Sequence, residues 1–291
     1  EQVAQMRSRS LTFRLLQRAD LSIVLSQYNR ADAEKIFSKN ITVVGNGIPD
    51  PCPDFEHAVL PRRHARFAVR KNLLAGRDPE PEDIKAAGEN PRTLRILYIA
   101  HCTRAKGVFD AIAGVTLANR RLREQRSPLS MRLIIAGTFV SAAEKAEFEL
   151  LQKSPEINDT VEYLGFVSGD QKDRALRDAD LFCFPTYYEN ENQPVNLIEA
   201  MAYGLPILTT RWRSLPELFP ADYAGLVDIR SPQQIADAIP GLMTSEAGDG
   251  FRQIFLGQYT LEKYLAGLAG ALKKLDAAPA AAIKGEPVKA A

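Results

Sequence analysis

The chain has 291 residues, which gives room for roughly two domains. Its 37 Lys and Arg stand against 36 Asp and Glu, so a net charge of +1 gives no global field that would draw it to nucleic acid. Three widely spaced cysteines, Cys52, Cys102 and Cys183, form no Cys-x-x-Cys pair, which argues against a zinc site or a disulfide framework and for reduced thiols in a cytoplasmic protein.

The chain opens on Glu1 rather than Met and reads as the tail of something longer, with no secretory signal. Residues 2–18 read as a basic amphipathic helix. Val3, Met6, Leu11, Leu15 and Leu16 form its apolar side, and Arg7, Arg9, Arg14 and Arg18 surround it. Such a helix suits either the solvated face of a domain or peripheral association with the inner, anionic face of a membrane. No apolar run approaches the ~20 residues of a membrane span. Asp20–Leu25 reads as a strand, Ser26 as the cap of a helix over about 28–38, and Ile41–Val44 as a second strand that stops at Gly45-Asn46-Gly47-Ile48-Pro49. Residues 49–93, rich in proline and charge, read as a connector, with Arg62-Arg63-His64-Ala65-Arg66 as a solvated basic surface.

From residue 94 the pattern becomes regular. Strands are expected at 94–100, 131–136, 160–164, 180–184, 206–210 and 225–229. Helices are expected near 106–124, 141–152, 169–178, 194–203, 213–219 and 232–244, with a closing helix over 247–275. Alternation of this kind predicts an α/β fold, a Rossmann-like doubly wound parallel sheet whose strands all end at one edge. The ligand belongs at that edge. Residues 276–291, alanine-rich with Pro279 and Pro287, read as a loose tail.

The chemistry concentrates between the strands at 180–184 and 206–210. Pro194 suits a first helical turn, Gly204 the left-handed residue after the last, and Pro206 blocks continuation. A helix that starts at the carboxyl end of a parallel strand aims free N–H groups and a positive dipole end at an anion. Glu191 lies just ahead of this helix and Glu199 about five residues into it, so two carboxylates flank the anion site. That arrangement suits a ligand with a diphosphate in the middle and sugars on either side.

Glu191 and Glu199, seven residues apart and followed by Ala-Met-Ala-x-Gly-x-Pro, resemble the E-x7-E signature of retaining nucleotide-sugar glycosyltransferases, the glycosyl transferases group 1 of GT-B architecture. In that family the front of the signature is Glu-Gly-Phe-Gly; here Asn192-Gln193-Pro194 stand at the last three positions. The resemblance implies that residues 1–48 are the remnant of an N-terminal acceptor-side domain and 49–93 the inter-domain connector. Residues 94–246 become the nucleotide-sugar-binding domain, and 247–275 helices that cross back toward the first domain. It implies donor contacts at Asn192, Gln193, Pro194, Val195 and Glu199, with Glu199 accepting from ribose hydroxyls and Glu191 from donor-sugar hydroxyls. Lys106-Gly107 looks like the family's Lys-Gly turn, a cation for the diphosphate. Ala100-His101 stand where the family carries Gly-Arg, which leaves Arg104 as the substitute second phosphate ligand and His101 as a candidate donor contact. Gly137 after the second strand, and Phe166 and Val167 after the third, look like donor- and base-contacting loops. Tyr187 and Tyr188 are candidates for the sugar pocket, Thr209 and Thr210 for phosphate or sugar; Arg211, Arg213 and Glu217 are expected to pair with one another.

The function implied is transfer of a sugar from a nucleoside-diphosphate sugar to a sugar or lipid-linked acceptor, with retention, in polysaccharide or glycolipid assembly. The resemblance implies neither a metal nor a cofactor. Two alternatives remain: a donor-binding module without transfer activity, and a nucleotide-sugar epimerase. A flavin or nicotinamide enzyme is disfavoured, because no G-x-G-x-x-G follows the first strand of the regular region.

Overall fold

The computed structural model describes residues 11–36, 38, 40–243 and 246–276. Two short parallel strands, β1 (Ser22–Val24) and β2 (Ile41–Val43), pair across the Gln27–Lys35 helix. Ser26 caps that helix as expected, its Oγ accepting from the Asn29 amide. Of the helix expected over 2–18, residues 2–10 lie outside the described residues, and within them the helix runs over Leu11–Leu16.

The main body is a six-stranded, wholly parallel sheet. Its strands are β3 (Thr93–Ile99), β4 (Ser130–Ala136), β5 (Val161–Gly165), β6 (Leu181–Phe184), β7 (Ile207–Thr210) and β8 (Leu226–Val227), in the spatial order β5-β4-β3-β6-β7-β8. The apolar runs that named these strands are the reason they sit inside: Leu181 to Phe184 and Ile207 to Thr210 are buried throughout. The order reverses between β3 and β6, and such a switch point opens a crevice beyond the strands' carboxyl ends. The Val108–Glu124 crossover helix covers one face with Val108, Ala111, Ile112 and Val115. The Val195–Ala202 helix runs between β6 and β7 with Leu197, Ile198 and Met201 in the core.

Three differences from the sequence reading have physical causes. The stretch 49–93 carries two helices, Leu60–Leu74 and Pro81–Ala87, each with a proline in its first turn, where the missing N–H costs nothing. Its Cys52, Phe55 and Val59 enter the main core. Its basic run is not a solvated surface: Arg63, Arg66 and Arg70 are buried, one turn apart on one side of the helix. Arg70 Nη2 donates to Asp180 Oδ2 at 2.7 Å, and Arg66 Nε lies 2.8 Å from Asp180 Oδ1, an ion pair by distance without the alignment of a hydrogen bond. Residues 155–160, given no helix in the sequence reading and ending on the first residue of the strand expected at 160–164, form a short helix entered at Pro155. The closing helix is broken into Glu246–Ile254 and Leu261–Asp276 by a wide π-turn over Phe255–Tyr259. There Thr260 bridges Ile48 and brings the last helix against the front of the chain. No described helix is long and apolar enough to cross a membrane.

Candidate functional site

A cavity of about 600 Å³ opens at the switch point. Ile99 from β3, Ala136 from β4 and Phe184 from β6 form its floor, and the loops that follow these strands and β5 form its walls. The Val195–Ala202 helix starts at its rim. Pro194 is the N-cap, in extended conformation and without a side-chain capping bond. The amides of Val195 and Asn196 therefore have no acceptor within the helix, and both residues line the cavity, while the Leu197 amide donates to the Pro194 carbonyl. Asn196 donates from Nδ2 to the Ile99 carbonyl at 2.8 Å, tying the helix start to β3. Its Oδ1 is buried without a partner among the described residues, an acceptor available to a ligand donor.

Two lysine–glutamate pairs line this cavity. Lys106 Nζ lies 2.6 Å from Glu191 Oε2 and 4.5 Å above the Tyr188 ring. The Thr186 hydroxyl donates to the same Glu191 oxygen at 3.2 Å, and Glu191 is only 7% exposed. Lys172 Nζ lies 2.5 Å from Glu199 Oε1. Local backbone chemistry places the first pair. Tyr98, buried on β3, donates its hydroxyl to the carbonyls of His101 and Lys106, which holds the turn after the strand. Gly107 has φ +81°, and a Cβ there would lie 2.2 Å from the Pro185 carbonyl oxygen. Only glycine lets the turn press against the loop that carries Glu191. At Gly137 a Cβ would lie 1.8 Å from the Ala100 carbonyl oxygen, so the loop after β4 also closes on glycine.

Of the residues proposed from the sequence, the cavity gathers His101, Lys106, Gly137, Phe166, Val167, Glu191, Pro194, Val195 and Glu199. Phe166 is 71% exposed at the mouth. The others lie elsewhere. Arg104 turns away: Nη2 donates to Glu147 at 2.5 Å and the guanidinium stacks 4.6 Å over Phe109. Asn192 accepts from Asn29 Nδ2 at 2.9 Å, and the Gln193 carbonyl accepts from Asn46 Nδ2 at 2.9 Å, so both face the β1–β2 unit. Thr209 and Thr210 are buried, their hydroxyls spent on the carbonyls of Phe184 and Thr186. Tyr187 stacks under Arg230, Arg211 pairs with Asp228, and Glu217 accepts from the amides of Gln27 and Tyr28. Lys172 and Asn196 were missed. Each sits where a helix first turn follows a strand, which is the position rule that located Pro194 and Val195.

Residues 79–253 match the glycosyl transferases group 1 family. The chain belongs to that family. Among its glycosyltransferase relatives is WcaL of Escherichia coli K12, assigned to colanic acid biosynthesis, 32% identical over 175 residues that make up 57% of this chain and 40% of WcaL. The amylovoran biosynthesis glycosyltransferase AmsK of Erwinia amylovora is 28% identical over 188 residues, 59% of this chain and 44% of AmsK. The chain thus spans less than half the length of these relatives. A solved structure of Anabaena Alr3699/HepE in complex with UDP superposes with a TM-score of 0.65 over 90% of this chain and 66% of that one, at 15% identity. At that identity the likeness speaks for the Rossmann-like GT-B fold.

Proposed function

We propose that this chain carries the donor site of a glycosyltransferase that moves a sugar from a nucleoside-diphosphate sugar to a saccharide or lipid-linked acceptor, with retention of anomeric configuration. The observation that carries the reading is the cavity itself. It combines a helix start, two lysines and two glutamates at the switch point of a parallel sheet, in a chain of the glycosyl transferases group 1 family. The relatives' part in colanic acid and amylovoran biosynthesis supports a saccharide acceptor.

Lys106 holds the diphosphate and stabilises the charge that builds on it as the bond from sugar C1 to the phosphate oxygen breaks. The acceptor oxygen bonds to C1 on the face that the diphosphate leaves, and the acceptor proton passes to the departing phosphate oxygen. Glu199 accepts from ribose hydroxyls and Glu191 from donor-sugar hydroxyls. Phe166, exposed at the mouth, offers an apolar face to the base. No metal or cofactor enters this scheme. The work belongs on the cytoplasmic side of a membrane, with the Leu11–Leu16 segment as a candidate contact through exposed Leu11 and Leu15.

The test is a titration of UDP-, GDP- and ADP-sugars followed by ligand-observed NMR on the wild type and Glu199→Ala. A bound donor whose affinity drops about 10-fold in the variant supports the reading. Equal affinity in both removes the ribose role, and binding without sugar transfer to any acceptor reduces the chain to a donor-binding module.

A further inference from the structure

We infer that Lys172 is the second diphosphate cation of this site, and that both lysines exchange their glutamate partners for phosphate when a nucleoside diphosphate enters. This rests on the donor-site reading above. The turn after β3 brings one lysine to the cavity, because Ala100-His101 occupy its start and Arg104 is committed to Glu147. The other lysine on the cavity wall is Lys172, from the first turn of the Gly169–Asp178 helix. Side chains in a helix lean toward its N-terminus, so a first-turn lysine here reaches over the sheet edge into the cavity.

The pairing explains why an exchange is needed. In the free protein Lys106 is held by Glu191 and Lys172 by Glu199. The two pairs cancel in charge, so a diphosphate meets a neutral pocket until they open. On entry each ammonium passes from a carboxylate to a phosphoryl oxygen, and each carboxylate is freed for hydroxyls on the sugar or the ribose. Every charged group gains a partner as it loses one, which keeps the desolvated groups satisfied throughout. The partial exposure of both members of the Lys172–Glu199 pair, 30% and 22%, leaves room for that movement.

The experiment measures binding of UDP, GDP and ADP, their nucleosides and inorganic pyrophosphate to the 291-residue chain by calorimetry. Lys172→Met is expected to weaken the best diphosphate about 10-fold and to leave its nucleoside unchanged, with Lys172→Arg retaining most of the affinity. Glu199→Gln, which frees Lys172 in advance, is expected to tighten pyrophosphate while weakening the nucleoside. Adding Lys172→Met to Glu199→Gln must then abolish the gain, which separates a lost cation from a bared carboxylate. Unchanged diphosphate affinity in Lys172→Met, or equal losses for diphosphate and nucleoside, overturns the exchange while the donor-site reading stands. If the wild type binds none of the three diphosphates, the donor-site reading falls and takes this inference with it.

Discussion

At Lys106 one charge answers to three neighbours: the Glu191 carboxylate, the Tyr188 ring and the Phe184 ring 5.7 Å away. On the proposed exchange, its value to a reaction lies in what it touches once a diphosphate displaces Glu191. Lys106→Met is expected to cut kcat on the order of 100-fold and to change KM less, since the charge it stabilises grows only as the bond breaks. Equal kcat values for wild type and variant would dismiss that role. Lys106 was legible from its Gly107 neighbour and the strand before it. The direction of Arg104 was not, because Glu147 and Phe109, which capture it, lie in helices whose approach no local pattern gives. Lys172 was obscured by its surroundings: among Asp170, Gln171, Asp173 and Arg174 it reads as one more solvated charge.

The Val195–Ala202 helix is held from behind as well as aimed from the front. Arg252 Nη1 donates to the Ala202 carbonyl at 2.8 Å, and Arg63 Nη1 donates to the carbonyls of Tyr203 and Gly204 at 2.7 and 2.6 Å. Two cations at the carboxyl end complement the dipole whose positive end faces the cavity. Burial lowers the Arg63 pKa to about 10, still high enough to keep it charged at neutral pH. Arg63→Met should therefore strip partners from buried carbonyls and cost about 2 kcal/mol in urea unfolding. Asp180 is the counter-ion for the same arginine row. Burial opposes its charge, but Arg70 and Arg66 hold its pKa below the ordinary 3.8. A carboxylate depressed in this way stabilises the fold fully above its unfolded pKa and loses that contribution as pH falls through the folded one. Asp180→Asn should thus be about 3–5 kcal/mol less stable than wild type at neutral pH, with the gap closing as the pH drops below 3.8. A gap independent of pH would mean that the ion pair contributes nothing. None of this was readable beforehand. A basic run in a proline-rich stretch looks solvated until the whole helix is seen to lie against the core.

For the molecule as a whole, the sheet was the legible part. All six strands of the main sheet were found within two residues of their expected ends, because a parallel sheet buried on both faces leaves apolar runs such as those of β6 and β7. Among the polar contacts that join the front unit to it are Asn29 with Asn192, Asn46 with Gln193, and the Glu217 carboxylate with the amides that open the Gln27–Lys35 helix. Replacing Glu217 with Gln exchanges a charged helix-end partner for a neutral one. It should expose the Gln27–Lys35 helix to faster hydrogen exchange while leaving β3 to β7 as protected as before. Uniformly faster exchange would show that the front unit and the sheet open together. These links were invisible in the sequence because each spans 147 residues or more.

The π-turn at Phe255–Tyr259 bears on how the protein should be shortened for study. The family match stops at residue 253, and a boundary drawn there would look safe on paper. It would discard Thr260, whose carbonyl oxygen lies where a side chain at Gly47 would have to go, and the helix whose Gly267 rests beside Val44. A trimmed version would lose the buckle that fastens its tail end to its beginning, and with it Phe255 and Tyr259 from the core that the sheet shares.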